Sequence, residues 1–363
     1  MTVDPGRVDE LRSRFEDSIL KSRRVEIAVL DDDYEAMFDR GWTDGLPVVP
    51  PTESLVAGML EGTIRDSDDV VALVPPNLAE CTVEKVAINA VMAGCRPEYL
   101  PVVLAAVDAI CTDEFNMHGV LATTMSVGPI LVVNGPVTSE IGMNSGVNVL
   151  GHGNRANSSI GRAVQMVIRN MGGGGPGGVD RATLGHMGKQ GFCFAEDEAG
   201  SPWISLAEER GFNADVSTVT AFCGEGPRLV VDQRSRTPES LTKTLGEALR
   251  GAVSSRMVMA MDAMLVISPE HMSRYRDAGW NRARFHEEIS AQLMVETDDI
   301  VAGAGGIEEG IPAALGGITV PKFRPGGLLV VHAGGAAGLF SAIIGGWLNG
   351  PSGSEPVTRE VKP

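Results

Sequence analysis

The chain has 363 residues, with 47 acidic against 30 basic side chains, and so carries a formal charge of −17. That length suits one large or two medium globular domains, and 43% hydrophobic residues is too many for a disordered chain. Because nucleic acids and anionic membranes attract a positive protein face, the acidic total argues against both as partners. We expect the 45 glycines to allow close backbone approach rather than to form flexible linkers.

The cysteine and histidine spacing predicts neither a disulfide framework nor a metal site. Five cysteines without a CxxC pair, and six histidines without ligand-type spacing, support neither feature. The N-terminal residues are charged and lack the apolar core of a signal peptide, so we expect a cytoplasmic protein. Residues 326–350 are apolar but broken by glycines, and they predict a buried strand–loop–helix rather than a membrane span. The sequence indicates no particular cofactor.

Residues 1–40 predict a charged helical arm. Val8, Leu11, Phe15, Ile19 and Leu20 recur at helical spacing between charged residues. Such an arm either packs on a second subunit, as in a homo-oligomer, or lies on the protein surface.

Residues 41–232 predict a larger α/β lobe in which helices and strands alternate. The patterns predict helices from Glu53 and over 83–93, 97–110 and 158–170, and strands over 127–137, 191–195 and 216–222. The charged, turn-rich segment 232–239 is the best candidate for a domain boundary.

Residues 233–363 predict a smaller lobe of the same class. Helices are expected over 240–249 and 269–277, after a cap at Asn281 and from Leu339, with strands over 263–268 and 328–331. The whole chain is therefore predicted to be α/β, in two lobes whose mixed sheets are flanked by helices and joined by glycine-rich strand-to-helix loops.

A polar loop before the predicted 158–170 helix is the first candidate binding site. His152, Asn154, Arg155, Asn157 and Ser158 precede or open a helix whose first amides have no internal partner. Those amides and the helix dipole favour an anion, and a guanidinium adds a bidentate donor for carboxylate or phosphate. The alternative is that these side chains cap the helix and pair with local carboxylates.

A second glycine-rich loop, HAGGAAG (332–338), follows a predicted strand. Gly334 and Gly335 would lie beyond the carboxyl end of that strand, where α/β sheets bind ligands. Asn134, near the end of the predicted central strand, is a further substrate-binding candidate. The alternative for the second loop is a tight turn whose small residues allow close packing.

Two thiols and two proton-carrying groups are the catalytic candidates. Cys95 precedes a predicted helix start and adjoins an arginine, which would favour its thiolate, and Cys193 alternates with two phenylalanines on a strand. Glu196 stands where that strand ends, as a general acid or base would, and His118 could act as a proton shuttle. Each also has a structural interpretation, as a small buried residue, a surface carboxylate or a hydrogen-bonded histidine.

Several long strings resemble one bacterial protein family. They are GWTDGLPVVPPT, VEKVAINAVMAGCRPEYLPVVLAAVDA, VNGPV, GNRANSSIGRA, FCFAEDEAGSPW and ERGFNADVSTVT, with a weaker continuation in HAGGAAGLFSAIIGGW. Members of that family occur beside, or fused to, small redox-type domains that carry a UGSC or CGSC motif. This chain has no CGSC, so the resemblance implies that any such redox motif is supplied by a separate polypeptide.

The sequence therefore favours a small-molecule enzyme acting on an anionic, carboxylate-like substrate. Thiol-linked redox chemistry and cleavage of a carbon–heteroatom bond are both open. One alternative is a non-catalytic metabolite-binding subunit of a two-component system with a UGSC-type thiol or selenol partner. Another is a metal-dependent lyase or hydrolase using His118, His152 and Glu196.

Overall fold

The computed structural model describes residues 20–27 and 32–363. The apolar positions Val8, Leu11, Phe15 and Ile19 of the predicted arm lie outside these residues. Of the arm, the structure describes the segment 20–27 and a short helix, α1 (Asp33–Asp39). Among the described residues, no helix combines the length and apolar character needed to span a bilayer.

The region up to residue 232 alternates helices and strands, as its sequence predicts. Its helices are α2 (Glu53–Leu60), α3 (Val83–Ala93), α4 (Leu100–Ile110), α5 (Met117–Ala122), α6 (Val137–Glu140), α7 (Arg155–Asn170) and α8 (Leu206–Glu209). Its strands are β1 (Val70–Val74), β2 (Ala79–Thr82), β3 (Gly128–Asn134), β4 (Cys193–Ala195), β5 (Thr218–Gly224) and β6 (Arg228–Val231).

The remaining residues add three helices and further strands. The helices are α9 (Pro238–Arg250), α10 (Pro269–Asp277) and α11 (Arg282–Gln292). The strands are β7 (Met261–Ile267), β8 (Met294–Glu296), β9 (Thr319–Pro321), β10 (Leu328–His332), β11 (Phe340–Leu348) and β12 (Val357–Glu360).

Two mixed sheet segments form the centre of the molecule. In the first, β3 pairs parallel with β4 and antiparallel with β5, and β12 adds to the other edge of β5. In the second, β11 pairs antiparallel with β6 and β7, and β10 runs parallel to β7. The two segments join through one bridge, between Gly346 and Gly224.

These segments pack face to face between two helical layers. The alternation of a strand sends Ile130 and Val132 into a core shared with Met264 and Val266 of the second segment. The intervening residues of β3 instead enter a core with α3, α4 and α7, and the outer face of β7 packs against α9, α10 and α11. The order of layers is therefore helix, sheet, sheet, helix, which confirms the predicted α/β class with mixed sheets.

Glycine allows the close approaches that this packing needs. A Cβ on Gly346 would lie 2.7 Å from the backbone oxygen of Asp262 on β7 and 3.0 Å from the ring of Phe222 on β5, so β11 has no room for a side chain where the two segments join. A Cβ on Gly161 would lie 2.8 Å from the backbone nitrogen of Phe192, which shows how closely α7 approaches the start of β4. That contact brings the N-terminal end of α7 towards the carboxyl end of β4.

The predicted helix from Leu339 is wrong. Residues Phe340–Leu348 form strand β11, so the HAGGAAG loop connects two strands and is not a strand-to-helix loop. Ile343 and Ile344 are β-branched, Gly345 and Gly346 disfavour a helix, and strands β6 and β7 provide pairing on both sides.

Strand pairing links the two predicted lobes across the boundary at residue 232. Strand β6, before the boundary, pairs with β11 of the second segment. Strand β12, near the end of the chain, returns to pair with β5. Residues 41–232 and 233–363 are therefore interleaved through their strands.

Candidate functional site

The N-terminus of α7 begins three residues earlier than the sequence predicts. Asn154 is its N-cap, and its Oδ1 accepts a hydrogen bond from the backbone N–H of Asn157 at 3.0 Å. Its Nδ2 donates to Gly142 O at 2.8 Å. Asn154 is thus occupied as a cap and loop anchor rather than being presented to a ligand.

Asn157 is also used structurally. It is 3% exposed, and its amide group bonds both ways with the backbone of Asn144, accepting from N at 3.0 Å and donating to O at 2.8 Å. A direct substrate contact by Asn157 was predicted wrongly, because the side chain points into the packing beneath the loop.

Arg155, His152 and Ser158 are the exposed members of this group. Arg155 Nε donates to Gly94 O at 3.0 Å. Within the described part of the chain, its two terminal nitrogens hold no hydrogen bond, and neither do the backbone amides of Arg155 and Ala156. Of the predicted anion donors, the guanidinium of Arg155 and two amides thus lie open at the helix N-terminus, beside the exposed side chains of His152 and Ser158.

The loop that precedes α7, which includes residues 144–147, contacts the HAGGAAG loop (332–338), although the two are nearly 200 positions apart in sequence. Gly334 N donates to Ser145 O at 2.8 Å, and a Cβ on Gly335 would lie 3.0 Å from the side chain of Val147. On its other side, the first loop receives a 3.5 Å hydrogen bond from Ala195 N to Asn144 O. The ends of β4 and β10 and the start of α7 therefore surround the segment 144–147.

A cluster of polar side chains stands at the ends of β3, β4 and β10. We call Asn134, Glu196, Asp197, Glu198 and His332 the carboxylate cluster. Asn134 is fully buried, and its Nδ2 donates to both Glu196 Oε2, at 2.7 Å, and Glu198 Oε1, at 2.6 Å. One amide nitrogen thus holds two carboxyl groups side by side.

Glu196 is the buried member of that pair. Oε2 also accepts from Leu206 N at 2.8 Å, whereas Oε1 has only a long contact of 3.4 Å from His332 N. Burial raises the pKa of Glu196 to about 7, against the lowering effect of its hydrogen bonds with Leu206 and Asn134 and of the charge on Arg282. Oε1 is therefore the oxygen able to carry a proton near neutral pH.

Glu198 has a different environment. It is half-buried, and both of its oxygens accept from Gly135 N at 3.2 Å in addition to the bond from Asn134. Where two neighbouring carboxyl groups have contrasting environments, one can serve as a general acid and the other as a general base.

Asp197 and His332 complete the cluster. Asp197 N donates to His332 O at 2.7 Å, and Asp197 Oδ2 lies 3.6 Å from His332 Nε2. Burial lowers the pKa of His332, although the Ile267 carbonyl and the charge on Asp197 oppose that effect. The imidazole is accordingly neutral at neutral pH.

The two predicted catalytic cysteines are buried and protonated. Burial raises the pKa of Cys95 to about 12, and a hydrogen bond with Ser159 and the charge of Arg155 only partly offset it. Burial also raises the pKa of Cys193, and the nearby Cys95 adds to that effect. The expectation of a stabilised thiolate at Cys95 is wrong, because removal from water outweighs a nearby positive charge.

Cys193 was predicted to lie opposite Phe192 and Phe194 on its strand, and that alternation is confirmed. Cys193 belongs to the core beneath the helices, and the two phenylalanines belong to the core between the sheets. The expected cleft at Cys193 is wrong, since both faces of β4 are covered.

His118 lies away from the carboxylate cluster. It is exposed at the rim of a cavity of about 560 Å³, whose lining also includes Asp108, Cys111 and Asn116. A further cavity of about 520 Å³ lies between residues 20–27 and α3, and neither cavity is lined by the carboxylate cluster. Across the described ranges, no three His, Cys, Asp or Glu side chains are grouped closely enough to hold a metal ion, so His118, His152 and Glu196 form no ligand set.

Sequence reasoning assigned no role to Asp197, Glu198 or His332. Three consecutive acids at the end of a strand were a usable signal, because ligands bind beyond the carboxyl ends of strands. The place of these three acids in the cluster depends on contacts with Asn134 and His332, which lie on strands far away in sequence.

Comparison with known proteins gives no match to any family model, to any curated protein or to any solved structure.

Proposed function

We propose that this protein is an enzyme that transfers a proton during cleavage of a carbon–heteroatom bond in a small anionic substrate. The observation that carries the proposal is the carboxyl pair on Asn134, in which burial raises the pKa of Glu196 to about 7. A general acid or base works best when its pKa is close to the working pH. Bond cleavage of this kind needs proton removal from carbon, proton delivery to the leaving atom, or both.

Carbon–heteroatom cleavage is favoured over thiol-linked redox chemistry. The predicted thiols Cys95 and Cys193 are buried and have raised pKa values. A thiol must ionise to act as a nucleophile or reductant, so neither is poised for such a role.

The negative end of the substrate is assigned to the open N-terminus of α7. Arg155 presents two free terminal nitrogens there, next to two backbone amides. The carboxylate cluster would repel an anion, so the substrate's negative group and its reacting end must occupy different parts of the site. The junction of loops 144–147 and 332–335 lies between these parts.

The test is a screen of small carboxylic acids and amino acids in deuterated water, followed by proton NMR. We expect the wild-type protein to exchange a substrate hydrogen or to release a product. We expect Glu196→Gln to lower that rate by at least about 100-fold, the usual contribution of a general acid or base. Glu247→Gln, at an exposed position on α9, is the matched control and should retain full activity. Equal rates in wild type and Glu196→Gln would refute the assignment.

A second candidate is a non-catalytic metabolite-binding subunit that works with a separate UGSC or CGSC redox protein. It is favoured by the two hydrogen bonds that Glu196 Oε2 already accepts from Asn134 and Leu206, beside the long contact from His332 N to Oε1. On this interpretation Glu196 has a structural role and holds buried segments together through its hydrogen bonds. Binding of a panel compound without any turnover, with a UGSC-motif protein recovered as a partner, would support it.

We further propose a cytoplasmic homo-oligomer. All five cysteines are unpaired, which fits a reducing compartment. Val70, Leu73 and Leu78 are about half exposed on and beside the β1–β2 hairpin, which would suit an apolar subunit contact. Light scattering after size-exclusion chromatography measures the mass directly, and a monomer would contradict the proposal.

A further inference from the structure

The imidazole of His332 has one nitrogen with no partner in the protein. Its Nδ1 faces the backbone oxygen of Ile267 at 2.9 Å. Because a carbonyl oxygen only accepts hydrogen bonds, Nδ1 carries the proton and Nε2 presents a lone pair. His332 is 2% exposed, and across the described residues Nε2 is buried without a hydrogen bond.

The group facing Nε2 is also an acceptor. Asp197 Oδ1 is held by Gly200 N at 3.1 Å, which turns Oδ2 towards His332 at 3.6 Å from Nε2. That separation is too long for a direct hydrogen bond. Two acceptors that face each other at this distance can share one donor, and the buried Nε2 is unfavourable without one.

The surroundings favour a donor with positive charge. Glu196 and Glu198 stand beside this pair, and two arginines act on the carboxylate cluster electrostatically, Arg282 on Glu196 and Arg276 on His332. Arg282 is already used by Glu209 and by the carbonyls of Ile204 and Val330. Arg276 is largely exposed and pairs with Asp277. The local charge is therefore negative.

We propose that His332 Nε2 and Asp197 Oδ2 bind a primary ammonium group of the substrate. This inference rests on the proposed function and gives its substrate class: a small zwitterion, with an anionic group at Arg155 and an ammonium group at the carboxylate cluster. The ammonium donates one hydrogen to the imidazole and a second to the carboxylate. It also brings the carbon that bears it next to Glu196, where proton transfer would occur.

The test uses methylammonium chloride as the probe and tetramethylammonium chloride as its control. Both ions carry one positive charge, but only methylammonium has N–H donors. We expect methylammonium to produce a saturable shift of the ¹⁵N resonance of His332 Nε2 and to raise Tm, and tetramethylammonium to do neither. The resonance is assigned with His332→Gln.

A pair of variants locates the site. Asp197→Asn should weaken methylammonium binding about tenfold or more, because it removes the charge from one hydrogen bond. Asp299→Asn, at an exposed turn position, is the matched control and should leave binding unchanged. Equal responses to the two ions, no response to methylammonium, or undiminished binding by Asp197→Asn would each overturn the proposal.

The outcomes also separate this inference from the proposed function. Methylammonium binding together with no turnover of any panel compound leaves the ammonium site standing and rejects the enzyme. Turnover of carboxylic acids that have no nitrogen, lost in Glu196→Gln, supports the enzyme and rejects the ammonium site.

Discussion

The buried carboxyl of Glu196 should make the protein less stable as pH rises through neutrality. Burial raises its pKa from 4.5 to about 7 in the folded chain. The folded chain therefore holds this proton more tightly than the unfolded chain, and the resulting stability is complete below about pH 4.5 and is lost as pH rises through about 7. At about 1.4 kcal/mol per pKa unit, that loss amounts to about 3 kcal/mol.

The perturbation is Glu196→Gln, which keeps the neutral form at every pH. A glutamine oxygen in the place of Oε2 can still accept from Asn134 and Leu206, and its nitrogen disturbs only the 3.4 Å contact from His332 N. We expect the variant to fold. Its stability relative to wild type should rise by about 3 kcal/mol between about pH 4 and about pH 8.

The assay is unfolding by guanidinium chloride over that pH range. Groups that titrate equally in both proteins cancel in the difference between their free energies of unfolding. The exposed control Glu247→Gln should give a difference that does not change with pH. If the Glu196→Gln difference is also flat, Glu196 ionises normally in the folded protein, and the physical basis for its proposed catalytic role is lost.

Three further predictions concern neighbouring residues. Arg155→Ala should raise KM for an anionic substrate about tenfold or more, measured by steady-state kinetics, with Arg155→Lys keeping part of the affinity; an unchanged KM would exclude Arg155 from binding. Asn154→Ala should lower the free energy of unfolding by about 1 kcal/mol through loss of the α7 cap, and Asn154→Ser should recover most of it in the same unfolding assay. In native protein, mass spectrometry should find a thiol reagent on the half-buried Cys111 before Cys95 or Cys193, because burial raises the pKa of all three thiols but only Cys111 is partly open to the reagent; early labelling of either other thiol would contradict their burial.

Local chemistry made most of the helix boundaries predictable. Thr82 caps α3 by accepting from Lys85 N, and Gly94 ends that helix with a φ of 84°, as the sequence indicates. Pro269 begins α10 and Asn281 caps α11. These signals depend on a few adjacent residues, so they can be read without knowledge of the fold.

The errors arise where distant strands decide the outcome. β11 is a strand because β6 and β7 pair with it on both sides, and no local pattern specifies those neighbours. In the same way, Asn134 was selected only for its position at a strand end. Its link to Glu196 and Glu198 exists because β3 and β4 pair in parallel and end together.

The balance between burial and nearby charge explains why Glu196 remains a catalytic candidate and Cys95 does not. At Cys95, burial favours the neutral thiol, and the charge on Arg155 does too little to offset it. At Glu196, burial also favours the neutral form, but hydrogen bonds with Leu206 and Asn134 and the charge on Arg282 partly oppose it. The same desolvation that raises a thiol pKa from 9.0, and so keeps the thiol protonated, brings the pKa of a carboxyl from 4.5 to about 7. A buried glutamate at the end of a strand is therefore better suited to proton transfer than a buried cysteine, and that difference directs the search towards carbon–heteroatom cleavage.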